Sequence, residues 1–146
     1  MKDNQILVLL RKIQTFRKLI FSEVNVELEQ EMGKTQRGVL MYIAFEGPAA
    51  MNDVSEKFAL AKGSFTQVAD GLEELGLIKR KRCEKDRRKI YLETTKKGRE
   101  TALKIHQATE KRIEFLLSKL SAEERDFFVK SLERVAEDID IIRSEI

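Results

Sequence analysis

Lysine and arginine are the side chains of this sequence with chemistry to offer, and they are gathered in one place. Between Leu77 and Arg99 eleven of them stand against Glu84, Asp86 and Glu93, in a chain whose net charge is only +3, so the remainder is net negative. Such an asymmetry reads as an electrostatic footprint for a polyanion; the alternative is a solvated charged hairpin. Duplex DNA presents closely spaced phosphates, and basic side chains that neutralise them supply most non-specific affinity. Arg80, Arg82 and Arg87 are phosphate candidates. Arg88, on a hairpin tip, could reach a minor groove, whose narrow A·T tracts attract arginine. Asp86 would brace that guanidinium or a neighbouring one through a charge-assisted pair. The plainer alternative is an exposed pair worth under about 1 kcal/mol. Cys83 lies among Arg80, Lys81, Arg82 and Lys85, neighbours that favour a thiolate open to oxidants, although an incidental surface cysteine fits as well.

Other chemistries are short of residues. One Cys excludes an intramolecular disulfide, and one Cys with one His cannot close a protein-only zinc cage. There is no nucleophile–base pair, no Gly-rich phosphate loop and no metal-ligand cluster, so neither an enzyme nor a cofactor is expected. His106 has no partner motif and reads as structural or exposed.

The elements that must position the basic stretch follow from periodicity. With 36% charged and 42% apolar residues, seven Gly and one Pro, the 146-residue chain favours long amphipathic helices in one domain with extensions. The start "MKDNQILVLLRK" lacks a signal-peptide layout and no apolar run approaches a membrane span, so a cytoplasmic protein without a membrane partner is expected. Ile6, Ile13, Phe16, Ile20, Val24 and Leu28 place one stripe on a first long helix. "MGKTQRGVLMYIAFEGPAA" gives a second helix stopped at Gly47-Pro48. Val54 and Phe58 mark a short third helix, and Phe65, Val68, Ala69, Leu72 and Leu75 a fourth capped by Gly76. Only "ALA" separates these two, which makes a helix-turn-helix. "LIKRKR" and "KIYLET" then read as short strands around a polar loop, with Ile78, Ile90 and Leu92 inward.

A helix-turn-helix followed at once by a basic hairpin is a winged helix. Thr95 could cap the next helix, and "SAEE", Ser121 to Glu124, is a capping box opening a last one through Phe128, Leu132, Val135, Ile139 and Ile142. The fold class is therefore mainly α with a small β-wing, with long N- and C-terminal helices. The winged lobe is expected over about residues 33–99, and the helical dimerisation region over about 4–30 and 100–146. Sixty-odd residues cannot cover two long apolar stripes. Burial against each other and a second copy predicts a two-fold homodimer; folding back on the lobe is the alternative. Two reader helices would then enter successive major grooves about 34 Å apart on a near-palindromic site. Ser64, Thr66 and Gln67 are best placed for base edges, and Lys62 for a phosphate.

This order of elements resembles the MarR family of transcriptional regulators. "DRRKIYLETTKKGR" resembles the family's wing signature through Asp86, Arg88, Thr95 and Gly98, and Leu72, Gly76, Leu77 and Ile78 resemble the end of its reader helix. Gln36 sits where the family's second helix usually has Gln, which the resemblance implies is a DNA contact. The resemblance also implies the wing roles of Asp86 and Arg88, and a crevice for a small aromatic or anionic effector; Phe16, Arg17, Tyr42 and Phe45 could line it, the alternative being that this aromatic stripe is simple core. Gly33, Ala50 and Ala61 depart from the family's Ser or Thr caps, Gln67 from its frequent Arg, and Thr94 from its Leu. From Thr35 to Gly76 three basic residues stand against six acidic. The expected function is a sequence-specific DNA-binding regulator, a repressor released by an effector. The alternative is a winged-helix module whose basic wing binds an acidic protein partner.

Overall fold

The computed structural model describes residues 3–24, 26–28 and 30–146. Its elements in chain order are α1 (Asp3–Ser22), α2 (Lys34–Glu46), β1 (Ala49–Ala50), α3 (Met51–Lys57), α4 (Lys62–Glu74), β2 (Ile78–Arg82), β3 (Ile90–Thr94), α5 (Lys96–Leu117) and α6 (Ala122–Ser144). The chain divides into two units, one spanning Val24–Thr109 and the other Met1–Glu23 with Glu110–Ile146. No helix among the described residues is long and apolar enough to cross a membrane.

In the first unit the core gathers one face from each helix: Val39, Leu40 and Ile43 of α2, Val54 of α3, Phe65, Ala69 and Leu72 of α4, and Ala102 and Ile105 of α5. Leu77, Ile78 and Leu92 close it from the sheet. Each of the larger ones, Val, Leu, Ile or Phe, contributes roughly 1.5–3 kcal/mol when fully buried. Helices α2, α3 and α4 start at Gly33, Ala50 and Ala61, none of which makes a side-chain cap bond. The tight turn between α3 and α4 puts Ala59 at φ 50°, a left-handed conformation that costs a residue with a Cβ. Gly76 takes φ 71° where α4 hands over to β2, and glycine bears that without strain.

The sheet is antiparallel in the order β1-β3-β2, with Arg80 opposite Leu92 and Arg82 opposite Ile90. Ile78 and Leu92 point inward as expected, and Ile90 is half-buried. The edge strand β1 was not expected from sequence. It pairs Ala49 with Leu92 and Ala50 with Tyr91.

The other unit holds α1, the second part of α5, and α6. Phe16 meets Phe128 edge-on at 5.3 Å. Arg112 donates to the Leu19 carbonyl at 3.3 Å and pairs with Glu23 at 2.6 Å. The predicted capping box is present: the Ser121 N–H donates to Glu124 Oε2 at 2.8 Å, and the Glu124 N–H donates to Ser121 Oγ at 3.2 Å. The Ser121 N–H foremost, and the Ser121 hydroxyl after it, hold the Glu124 carboxyl below its ordinary range.

One expected boundary moves. The apolar spacing carries the first helix through Leu28, whereas α1 ends at Ser22. Val26 and Leu28 pack instead against the core of the first unit, so a stripe that reads as continuous serves two units.

Candidate nucleic-acid interface

Burial of Phe65, Ala69 and Leu72 fixes the rotation of α4, and leaves Lys62, Ser64, Thr66, Gln67 and Asp70 exposed along its other side. The sequence-predicted reader residues therefore share one face. Thr66 is partly engaged, since its Oγ1 donates to the Lys62 carbonyl at 2.9 Å. Gln36 is half-buried, and its Oε1 accepts the Gly33 N–H at 2.9 Å, closing the start of α2 in place of a capping side chain. Its Nε2 occupies the space that a side chain at Gly71 of α4 would need. Gln36 thus joins two helices of the lobe.

The wing tip is ordered from within. Asp86 Oδ1 accepts the Arg88 N–H at 3.0 Å, the Lys89 N–H donates to the Asp86 carbonyl at 2.9 Å, and the Cys83 N–H donates to the Lys89 carbonyl at 3.0 Å. The brace expected of Asp86 is thus made to the backbone of Arg88. No ion pair among the described residues engages Arg82, Arg87 or Arg88, and all three are exposed. Their charge is available to an outside partner. Lys79 and Lys81, by contrast, both approach Glu93 across the strands, at 3.4 and 4.0 Å.

Arg80 has a different environment. Its Nη2 donates to Asp70 Oδ1 at 2.5 Å and its Nη1 to Glu73 Oε1 at 3.0 Å, while its backbone N–H reaches Glu73 Oε2 at 3.3 Å. Two carboxylates of α4 hold one guanidinium of β2. Arg80, a phosphate candidate by residue type and position, is thus committed to Asp70 and Glu73, partners ten and seven residues away that no local pattern marks.

The far end of the wing is tied to the same corner. The Thr95 hydroxyl donates to the Gly76 carbonyl at 2.7 Å and accepts the Gly98 N–H at 2.9 Å, and the Thr95 N–H donates to the Leu77 carbonyl at 3.0 Å. Thr95 caps α5 as expected while also holding the end of the reader helix. Gly98 is buried so close to Leu77 that a Cβ there would collide with the Leu77 carbonyl.

The remaining candidates lie elsewhere. Cys83 is half-buried where β2 runs into the loop. In the first unit Tyr42 meets Phe58 edge-on at 6.1 Å with Lys57 above its ring, and Phe45 lies 4.9 Å from His106. Phe16 and Arg17 belong to the other unit, with Arg17 exposed on α1. A cavity of about 50 Å³ opens between Met32, Leu77 and Lys97, and none of the four expected effector residues lines it.

Three packed helices, a reader face on the last of them and a charged two-stranded hairpin behind it define a winged helix-turn-helix DNA-binding protein. A model of the MarR family matches residues 31–89. The HTH-type transcriptional regulator MhqR of Bacillus subtilis is 32% identical over 71% of this chain and 72% of its own length. A transcriptional regulator from Thermotoga maritima, Tm0710, superposes with a TM-score of 0.72 at 26% identity, over 97% of this chain and 99% of that one. Streptococcus pneumoniae FabT, solved in complex with DNA, shares the fold with a TM-score of 0.71 at 23% identity, over 96% of this chain and 99% of its own. The chain belongs to the MarR family of transcriptional regulators.

Proposed function

We propose that this regulator is a repressor that binds a near-palindromic operator as a homodimer and is released by a small aromatic or anionic effector. The observation that carries the DNA reading is the wing tip: Arg82, Arg87 and Arg88 are exposed, free of ion pairs among the described residues, and set on a hairpin stiffened by Asp86. Arg88 enters the minor groove, Arg82 and Arg87 meet phosphates, and Ser64, Thr66 and Gln67 face base edges with Lys62 on a phosphate. The homodimer is supported by α6, which buries none of its residues and leaves Leu132, Val135, Ile139 and Ile142 between 40% and 58% exposed. A second copy covers such a stripe. Effector binding releases the operator by favouring a spacing of the two readers that the operator does not fit.

The test is binding to the gene's own upstream duplex against random duplex across a salt series. The expected result is preference for the upstream site, steep loss with salt, and for Arg88→Ala a salt slope shallower by about one. No preference, and no effect of Arg88→Ala, would point instead to a winged-helix module that binds an acidic protein. Light scattering at micromolar concentration tests the dimer, and a monomer there refutes it.

A further inference from the structure

The most basic-looking site on the sequence contains one arginine whose guanidinium is already paired within the protein. The Arg80 side chain is 26% exposed and sits between two carboxylates that are 56% and 41% exposed, so this corner of the reader is net negative with its one cation already committed. A guanidinium suits that place, because its planar fork can serve two acceptors at once, whereas an ammonium acts as a point charge. The backbone bond from Arg80 to Glu73 fixes the same contact a second time.

The location gives the clasp a purpose. Asp70 is three residues from Gln67 and four from Thr66, so it lies on the helical face that carries the reader side chains. Arg80 lies in β2, the strand that leads to the wing tip. The clasp therefore joins the surface that reads bases to the hairpin that carries the free arginines. On the other side of the same corner, Thr95 ties the end of β3 to Gly76 and Leu77. Helix and hairpin are held at two points, and their mutual angle is set before any DNA arrives.

From this we infer that Arg80 is a positioning residue for sequence discrimination: its clasp on Asp70 and Glu73 sets the reader helix against the wing, and it takes no phosphate. The inference rests on the DNA-binding reading above. A phosphate ligand and a positioning residue leave different signatures. A lost phosphate contact weakens every sequence alike and makes the salt dependence shallower by about one. A misplaced reader weakens the correct site most and leaves the number of neutralised phosphates unchanged.

The experiment compares wild type, Arg80→Ala, Arg80→Lys and Arg88→Ala, binding the upstream duplex and a random duplex from low to high salt. Circular dichroism melts identify any variant that is unfolded at the assay temperature. For Arg80→Ala the preference for the upstream site is expected to fall about tenfold, the worth of one misplaced base contact, with an unchanged salt slope. Arg80→Lys should fail to restore that preference, because it keeps the charge but not the fork. Should Arg80→Ala fail to fold, Arg80→Lys alone decides the matter through the same two readouts. Full rescue by Lys, or a slope reduced by about one with equal loss on both duplexes, would make Arg80 a phosphate ligand and overturn the inference. If wild type has no preference and Arg88→Ala changes nothing, the DNA-binding reading itself has failed; a preserved preference in Arg80→Ala beside a weakened Arg88→Ala strikes down the clasp alone.

Discussion

Asp86 and Arg88 are joined through the main chain: the Asp86 carboxylate accepts the Arg88 N–H at 3.0 Å, and the guanidinium two residues away is left clear. An Asx turn of this kind orders a loop without using the side chain it presents.

The amide oxygen of Asn can replace that acceptor, and Ala cannot. Asp86→Asn should therefore retain operator affinity within about twofold, while Asp86→Ala weakens it about five- to tenfold, near the worth of one lost hydrogen bond of about 1 kcal/mol. Fluorescence anisotropy on a labelled upstream duplex separates the two. Equal losses would mean that the charge of Asp86, rather than its turn, matters.

Gly98 should be irreplaceable for a reason unrelated to DNA. An added methyl meets the Leu77 carbonyl, which is backbone and cannot swing aside. Gly98→Ala is expected to destabilise the protein by about 1–3 kcal/mol, as overpacking does. Gly63, with open space around it, is the control: Gly63→Ala should be neutral or up to about 1 kcal/mol more stable in a thermal melt.

Ala59 is the opposite case. It holds φ 50° in the turn between α3 and α4, next to a bond from Ser55 Oγ to the Leu60 carbonyl at 3.0 Å. Ala59→Gly relieves a left-handed residue of its Cβ and should raise stability by about 0.5–1 kcal/mol, after the entropy that glycine loses on folding. Denaturant midpoints at constant slope would register it, and a lower midpoint would refute it.

The capping box at the start of α6 should respond to acid. The Glu124 carboxyl titrates lower in the folded chain than in the unfolded one, chiefly because the Ser121 N–H donates to it. Its contribution is thus complete above the ordinary carboxylate range and is lost as the pH falls through the depressed folded value. Amide exchange at Ser121 and Glu124 should accelerate, relative to the intrinsic rate, on acidification through that window. In Glu124→Gln, which has no carboxyl to titrate, the step should vanish.

Much of this architecture was legible because it depends on local spacing. Phe65, Ala69 and Leu72 recur at helical intervals, Ser121 and Glu124 lie three apart, and Ile78 and Leu92 alternate with charged neighbours, so reader, box and wing follow from short windows. β1 has no such signature. Two alanines show no alternation and become a strand only because β3 offers a free edge. The end of α1 was equally hidden, since Val26 and Leu28 keep the helical spacing while packing on a different unit. At the site, the exposed reader face was readable from type and position, whereas the expected pair between Asp86 and a guanidinium was not: its carboxylate takes the Arg88 N–H instead. The commitment of Arg80 was not, because its partners are set by the fold and nothing nearby in the chain marks them.

Gly98 has a further consequence for anyone mapping this protein by saturation mutagenesis. A growth or reporter screen would deplete every substitution there, as sharply as at Arg88. The contact that forbids them is a main-chain carbonyl on the inner side of the lobe, remote in kind from recognition. Sorting such a map by melting temperature before reading it as a footprint would separate the residue that makes room for the backbone from those that meet the operator.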